Sequence, residues 1–167
     1  MKKLILSIAL IAILATGTVF ASPNGFSIGV HGGTGGVGSG GGLNLTLPGV
    51  PVFWYFDAAG LGDNTMYISG AGDFLFLFDT EFVPTLSFYI RGGIGAAFWS
   101  FSHEVLDNYV GLAASFRLPI GLSWRPIELL EIFLQAVPQI GLQILPIDNI
   151  RLWGNYWGGN LGIRLWL

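Results

Sequence analysis

The chain has 167 residues, 52% of them hydrophobic and 10% charged, and it contains no cysteine. A soluble domain carries roughly 25% charged residues, so this composition excludes an ordinary water-facing surface, and the missing cysteines exclude disulfides and a thiol-borne lipid anchor. Both lysines stand at positions 2 and 3, which leaves Arg91, Arg117, Arg125, Arg151 and Arg164 against ten acids and argues against nucleic acid as a partner.

In chain order, Met1-Lys2-Lys3, the apolar run 4–14 and Val19-Phe20-Ala21 have the three regions of a secretory signal peptide over residues 1–21. An uncleaved anchor of about 20 apolar residues is the alternative. The small residues Ala15 to Thr18 favour cleavage and leave residues 22–167 as a single domain. Beyond the leader no apolar stretch of about 18 residues escapes Pro, Gly or charge, so helical spans are not available. A chain this apolar then has one membrane solution, a closed β-barrel whose strands leave no unpaired edge.

Period-two alternation between turn signals predicts eight strands, at 24–32, 40–48, 50–58, 65–79, 84–100, 108–125, 128–144 and 155–167. Short connections (Pro48-Gly49, 79–83, Pro126-Ile127) alternate with longer ones (33–39, 59–64, 101–107, 145–154), as in outer-membrane barrels, and both termini fall on the short-turn, periplasmic side. The fifth strand places Leu86, Phe88, Ile90, Ile94 and Phe98 on one face and Ser87, Tyr89, Arg91, Gly93, Gly95 and Ala97 on the other. The sixth repeats this, with Leu112, Phe116, Ile120 and Leu122 opposite Ala113, Ser115, Arg117, Gly121 and Ser123. Bulky residues outward and small or polar residues inward suit lipid and a narrow lumen, whereas a soluble lipocalin would do the reverse.

Aromatics gather near predicted strand ends, with Phe98, Trp99, Trp153, Tyr156 and Trp157 toward the loops and Phe82, Trp124 and Trp166 toward the turns, and they are expected to form two headgroup belts. The inward face collects Asp73, Arg91, Arg117, Glu131, Gln135, Gln139 and Arg164. In a lumen just wide enough for side chains these are expected to pair as a polar plug, Glu131 with Arg164, and Arg91 and Arg117 with Asp73 and the glutamines. A narrow ion or proton path is the alternative.

The residues 33–38 spell G-x-G-x-x-G, but a dinucleotide site needs a helix opening directly behind the glycines, and more glycine and a strand follow, so the stretch is expected to be an extracellular loop. His31, His103 and Glu104 are the acid–base candidates; Asp107 stands where a second metal-binding His would be, and Ser100 or Ser102 would need a backbone bend to meet His103. They are expected to be loop residues. Asp57, Asp63, Glu104, Asp107 and Asp148 are likewise placed at or in long loops, and the sequon at Asn44 falls inside a predicted strand.

The stretches 117–122, 130–134 with Pro138, and 158–167 resemble the small eight-stranded outer-membrane barrels of OmpA/OmpX type, and more nearly an uncharacterised family of such barrels. Such proteins end in Phe or Trp, read by the barrel-insertion machinery; here Leu167 follows Trp166. The resemblance implies location and fold, with no assigned chemistry. Together these readings give an all-β, eight-stranded antiparallel up-and-down transmembrane barrel, monomeric, without cofactor or metal, in contact with outer-membrane lipid, in a structural or surface-interaction role and not an enzyme. The alternatives are a narrow channel or transporter for ions or small apolar solutes, a lipid-modifying rim enzyme, and a soluble periplasmic ligand-binding barrel.

Overall fold

A computed structural model describes residues 25–35, 38–60, 65–101, 109–145 and 150–167. Among them run nine strands: β1 (Ser27–Gly35), β2 (Gly38–Leu47), β3 (Val50–Gly60), β4 (Thr65–Val83), β5 (Leu86–Phe101), β6 (Tyr109–Arg117), β7 (Ile120–Ile127), β8 (Leu130–Leu145) and β9 (Arg151–Trp166). β6 and β7 are one stave broken at Leu118-Pro119, since both lie between β5 and β8. The staves therefore number eight, each antiparallel to the next, and β9 closes the cylinder on β1 from Ser27 opposite Trp166 to Thr34 opposite Gly159. The predicted leader, residues 1–21, lies outside the described residues.

The short turns carry their own reasons. Pro48-Gly49 and Pro84-Thr85 each put proline's fixed φ first and a φ of +74° second, at Gly49 and Thr85, the pattern of a type II turn. The Thr85 amide is held by Glu81 Oε1 at 2.7 Å. The third turn is Glu128-Leu129, and the start of β1 and the end of β9 sit at this same end of the barrel.

Several expected boundaries shift. The turn expected at 79–83 is ladder, because Asp79 faces inward opposite Tyr89 and β4 runs on to Val83. The turn expected at Pro126-Ile127 falls two residues later, since Ile127 still pairs with Leu130. The loop expected at 33–39 is mostly strand: β1 and β2 stay paired out to Gly35 opposite Gly38. At Gly33 the reason is close approach, because a Cβ there would fall on the Asn160 side chain and the Gly159 carbonyl. β9 likewise begins at Arg151, four residues ahead of expectation.

The alternation sorts side chains as the wall requires. Ile94, Phe116, Leu134 and Leu161 stand 55–72% exposed on the outside, while their strand neighbours Gly93, Ser115, Phe133 and Gly162 are buried inside. The lumen is filled by pairing a large inward residue on one stave with a glycine on the next. A Cβ on Gly162 would collide with the Phe133 ring, which lies across it in register.

Candidate functional site

The described lumen is filled in three tiers. At the turn end lies Glu131, 1% exposed, whose Oε1 accepts from Arg164 Nη1 at 3.0 Å and Ser123 Oγ at 2.9 Å. Its Oε2 accepts from Trp166 Nε1 at 2.6 Å, with Arg125 Nη2 at 3.6 Å. The Arg164 guanidinium is wholly buried; its Nε donates to Asn44 Oδ1 at 2.8 Å, and Nη2 lies 3.4 Å from the Tyr55 hydroxyl. Its flat faces are covered by Phe53 at 4.3 Å and Phe133 at 4.7 Å from the ring centres. A buried charge is tolerated only when opposite charge and hydrogen bonds replace its lost hydration, and this pair has both.

The middle tier is built on Arg91 and Arg117. Arg91 is clamped between the rings of Phe53 and Tyr89, at 3.7 and 3.8 Å from their centres, with Asp79 Oδ2 4.0 Å away. Arg117 Nε stands 2.9 Å from Asp73 Oδ1, an ion pair whose atoms are not aligned as a hydrogen bond. Tyr89 donates to Gln135 Oε1 at 2.9 Å, and Gln139 stands beside Arg117 in the ladder.

The third tier, toward the long loops, centres on Asp57. Its Oδ1 meets His31 Nε2 at 2.5 Å, and its Oδ2 accepts from Ser69 Oγ at 3.1 Å. Above it Trp99 covers Gly111 and packs with Ala97, Ala113 and Tyr67.

The expected inward set is thus distributed over two tiers. Glu131 and Arg164 meet, Asp73 meets Arg117, and Gln135 meets a tyrosine. Arg91 does not take Asp73 but lies between rings, with Asp79 as its nearest acid. Two expectations are corrected. His31 is a lumenal residue, 6% exposed, and Asp57 is its partner within the barrel; both were expected at loops, and both share the inward parity of their strands. Asn44 lies within a strand as expected, and its side chain is buried inside. Trp99 and Trp166, assigned to the belts, are 5% and 4% exposed and point inward, with the parity of Ala97 and Arg164. Phe98 is half-buried on the outer face, and Trp124 and Trp157 are exposed there; the side chains of Trp153 and Tyr156, like the whole of His103 and Glu104, lie outside the described residues.

Asn44, Tyr55, Tyr89, Ser123 and Arg125 were missed as members of the network. Inward parity was the signal that marked each of them. In the third tier Ser69 donates to the Asp57 carboxylate and not to the His31 imidazole. No cluster of three or more His, Asp and Glu residues suited to a metal occurs among the described residues.

The family described as "Protein of unknown function (DUF3996)" matches residues 24–164, the whole of the described barrel but its last three residues. The chain belongs to this family. No curated protein matches it. Among solved structures, Neisserial surface protein A (NspA) is similar over 85% of this chain and 97% of its own, at 10% identity and a TM-score of 0.48.

Proposed function

We propose that this member of the family is an outer-membrane barrel of structural or surface-interaction type whose interior is sealed by its own side chains. The observation that carries the reading is the turn-end tier. Glu131 and Arg164 bind each other, each is bound by further lumenal groups, and the rings of Phe53 and Phe133 close over the guanidinium. The wall supports the location. Large apolar residues are exposed on the outer face of every stave, far more surface than a water-soluble monomer leaves bare, and a closed ladder is what hydrocarbon demands of strands. A leader over residues 1–21, insertion through the barrel machinery, and the start of β1 and the end of β9 both on the periplasmic side belong to the same proposal, as do a monomeric state and the absence of catalysis.

The test is planar-bilayer recording of protein refolded in detergent. Folded protein, identified by a gel mobility that changes on boiling, should insert without steady current, and truncating Arg164 to Ala should produce current. Steady conduction by the wild type would replace this reading with that of a narrow channel, since the polar tiers would then line a path.

A further inference from the structure

The turn-end and loop-end tiers are joined by one hydrogen-bonded side chain. Asn44 Oδ1 accepts from Arg164 Nε at 2.8 Å, and Asn44 Nδ2 lies 3.5 Å from His31 Nδ1. Arginine can only donate. The amide must therefore turn its oxygen to Arg164 and its NH2 to His31, so the facing imidazole nitrogen must be an acceptor. The His31 proton is then on Nε2, where Asp57 Oδ1 receives it. We propose that Asn44 is an acid-sensitive relay: it holds His31 in the Nε2–H tautomer, and protonation of His31 costs Arg164 its Asn44 bond.

The reasoning is a count of donors. A second proton on His31 would put Nδ1–H against the Asn44 NH2. Turning the amide over offers its oxygen to His31 but sets its NH2 against Arg164 Nε–H. Left in place, the amide strands the new Nδ1–H with no acceptor, whereas turned over it bares only Nε–H of a guanidinium that keeps its other partners, so the amide turns and the two ends of the lumen cannot both be satisfied. Arg164 keeps Glu131 and Tyr55 through its terminal nitrogens, so it shifts without leaving the barrel.

Among the described residues, Asp57 is the one acid within ion-pair distance of His31. β2 presents Asn44, and β3 presents Asp57 and the edge of Tyr55, ring centres 5.4 Å apart. β4 reaches the group through Ser69 on Asp57, and β9 offers Gly162 in register and Arg164 through Asn44. From β6, Arg117 stands 5.2 Å from the Tyr55 ring centre. The relay is a statement about lumenal geometry and stands apart from whether the barrel conducts.

The experiment is nitrogen NMR of the folded full chain in detergent, with 15N-labelled histidine and arginine, followed from neutral to acid pH. His103→Gln and His31→Gln assign the two histidines. At neutral pH His31 should show the Nε2–H tautomer. As it takes its second proton, the Arg164 Nε–H resonance should shift with the same midpoint. In Asn44→Asp the carboxylate accepts from both neighbours, so His31 should still titrate while the Arg164 shift is lost. An Nδ1–H tautomer at neutral pH would overturn the proposal. So would a His31 that protonates without moving Arg164, one that stays neutral to the lowest pH the fold survives, or an Asn44→Asp protein that keeps the wild-type shift. Should His31→Gln fail to fold, His103→Gln alone leaves a single histidine signal, and the tautomer and coupling are still read.

Discussion

Arg164 is the side chain on which most of the lumen converges, because a guanidinium offers five donors in a plane and two faces for rings. Glu131, Asn44 and Tyr55 take its edges while Phe53 and Phe133 take its faces. Removing either member of the Glu131–Arg164 pair leaves an unmatched charge inside the barrel, at a cost on the order of 3–5 kcal/mol. In a double-mutant cycle on Glu131→Gln and Arg164→Gln, read by urea unfolding in vesicles, the double variant should lose less than the two single losses together. Strict additivity would mean that the two side chains do not support each other. Thr85 makes the opposite kind of test, since a β-branched residue at φ +74° is strained where Gly49 at the matching turn position is not. Thr85→Asn is expected to raise stability by about 1 kcal/mol, the left-handed penalty of an ordinary residue being roughly 1–2 kcal/mol. A loss of stability would show that the threonine earns its place by a contact other than its backbone.

At the scale of the element, the break between β6 and β7 has a chemical cause. Leu118 N–H donates to the Pro138 carbonyl at 2.9 Å, and Arg91 N–H to the Pro119 carbonyl at 2.9 Å. Antiparallel residues paired this way exchange two hydrogen bonds, but proline has no N–H to return. Each of these two neighbouring pairs is therefore held by one bond. β4 adds a bulge at the same level, spending four residues from Phe74 to Phe78 where β5 spends two from Gly92 to Ile90. The wall around Arg91 is thus its most weakly laddered part, and the ring clamp on the Arg91 side chain holds the stave from inside. Pro138→Ala returns a donor facing Leu118. Hydrogen exchange at the Leu118 amide should slow in that variant, and an unchanged or faster rate would mean that the missing bond does not limit opening there.

For the whole molecule the decisive quantity is the environment of the outer wall. Ile94 is 55% exposed at mid-stave, and Leu129 is 59% exposed in the third turn, so the two differ in depth more than in exposure. If hydrocarbon surrounds the staves, Ile94→Arg should cost about 2–4 kcal/mol in vesicle folding titrations and Leu129→Arg about 0–1. Equal costs at the two sites would place the wall outside a bilayer.

The alternation of Leu86 to Trp99 on β5, the proline turns and the absence of a long apolar run past residue 21 were enough to specify an eight-stave barrel, its closure and which face is which. These are properties of the local chain: a period of two assigns every side chain to a face whatever it then touches. That also made Trp99, Trp166, His31 and Asp57 legible as inward, where strand-end position suggested otherwise. Glu131 opposite Arg164 could be counted from the turn, because few residues separate them from it. The partners of Arg91, the bridge from Arg164 through Asn44 to His31, and the pairing of β1 and β2 through residues 33–35 could not be counted. They depend on barrel tilt, on the β4 bulge and on which large side chain lies across which glycine, and those are settled only when all eight staves close around a single narrow volume.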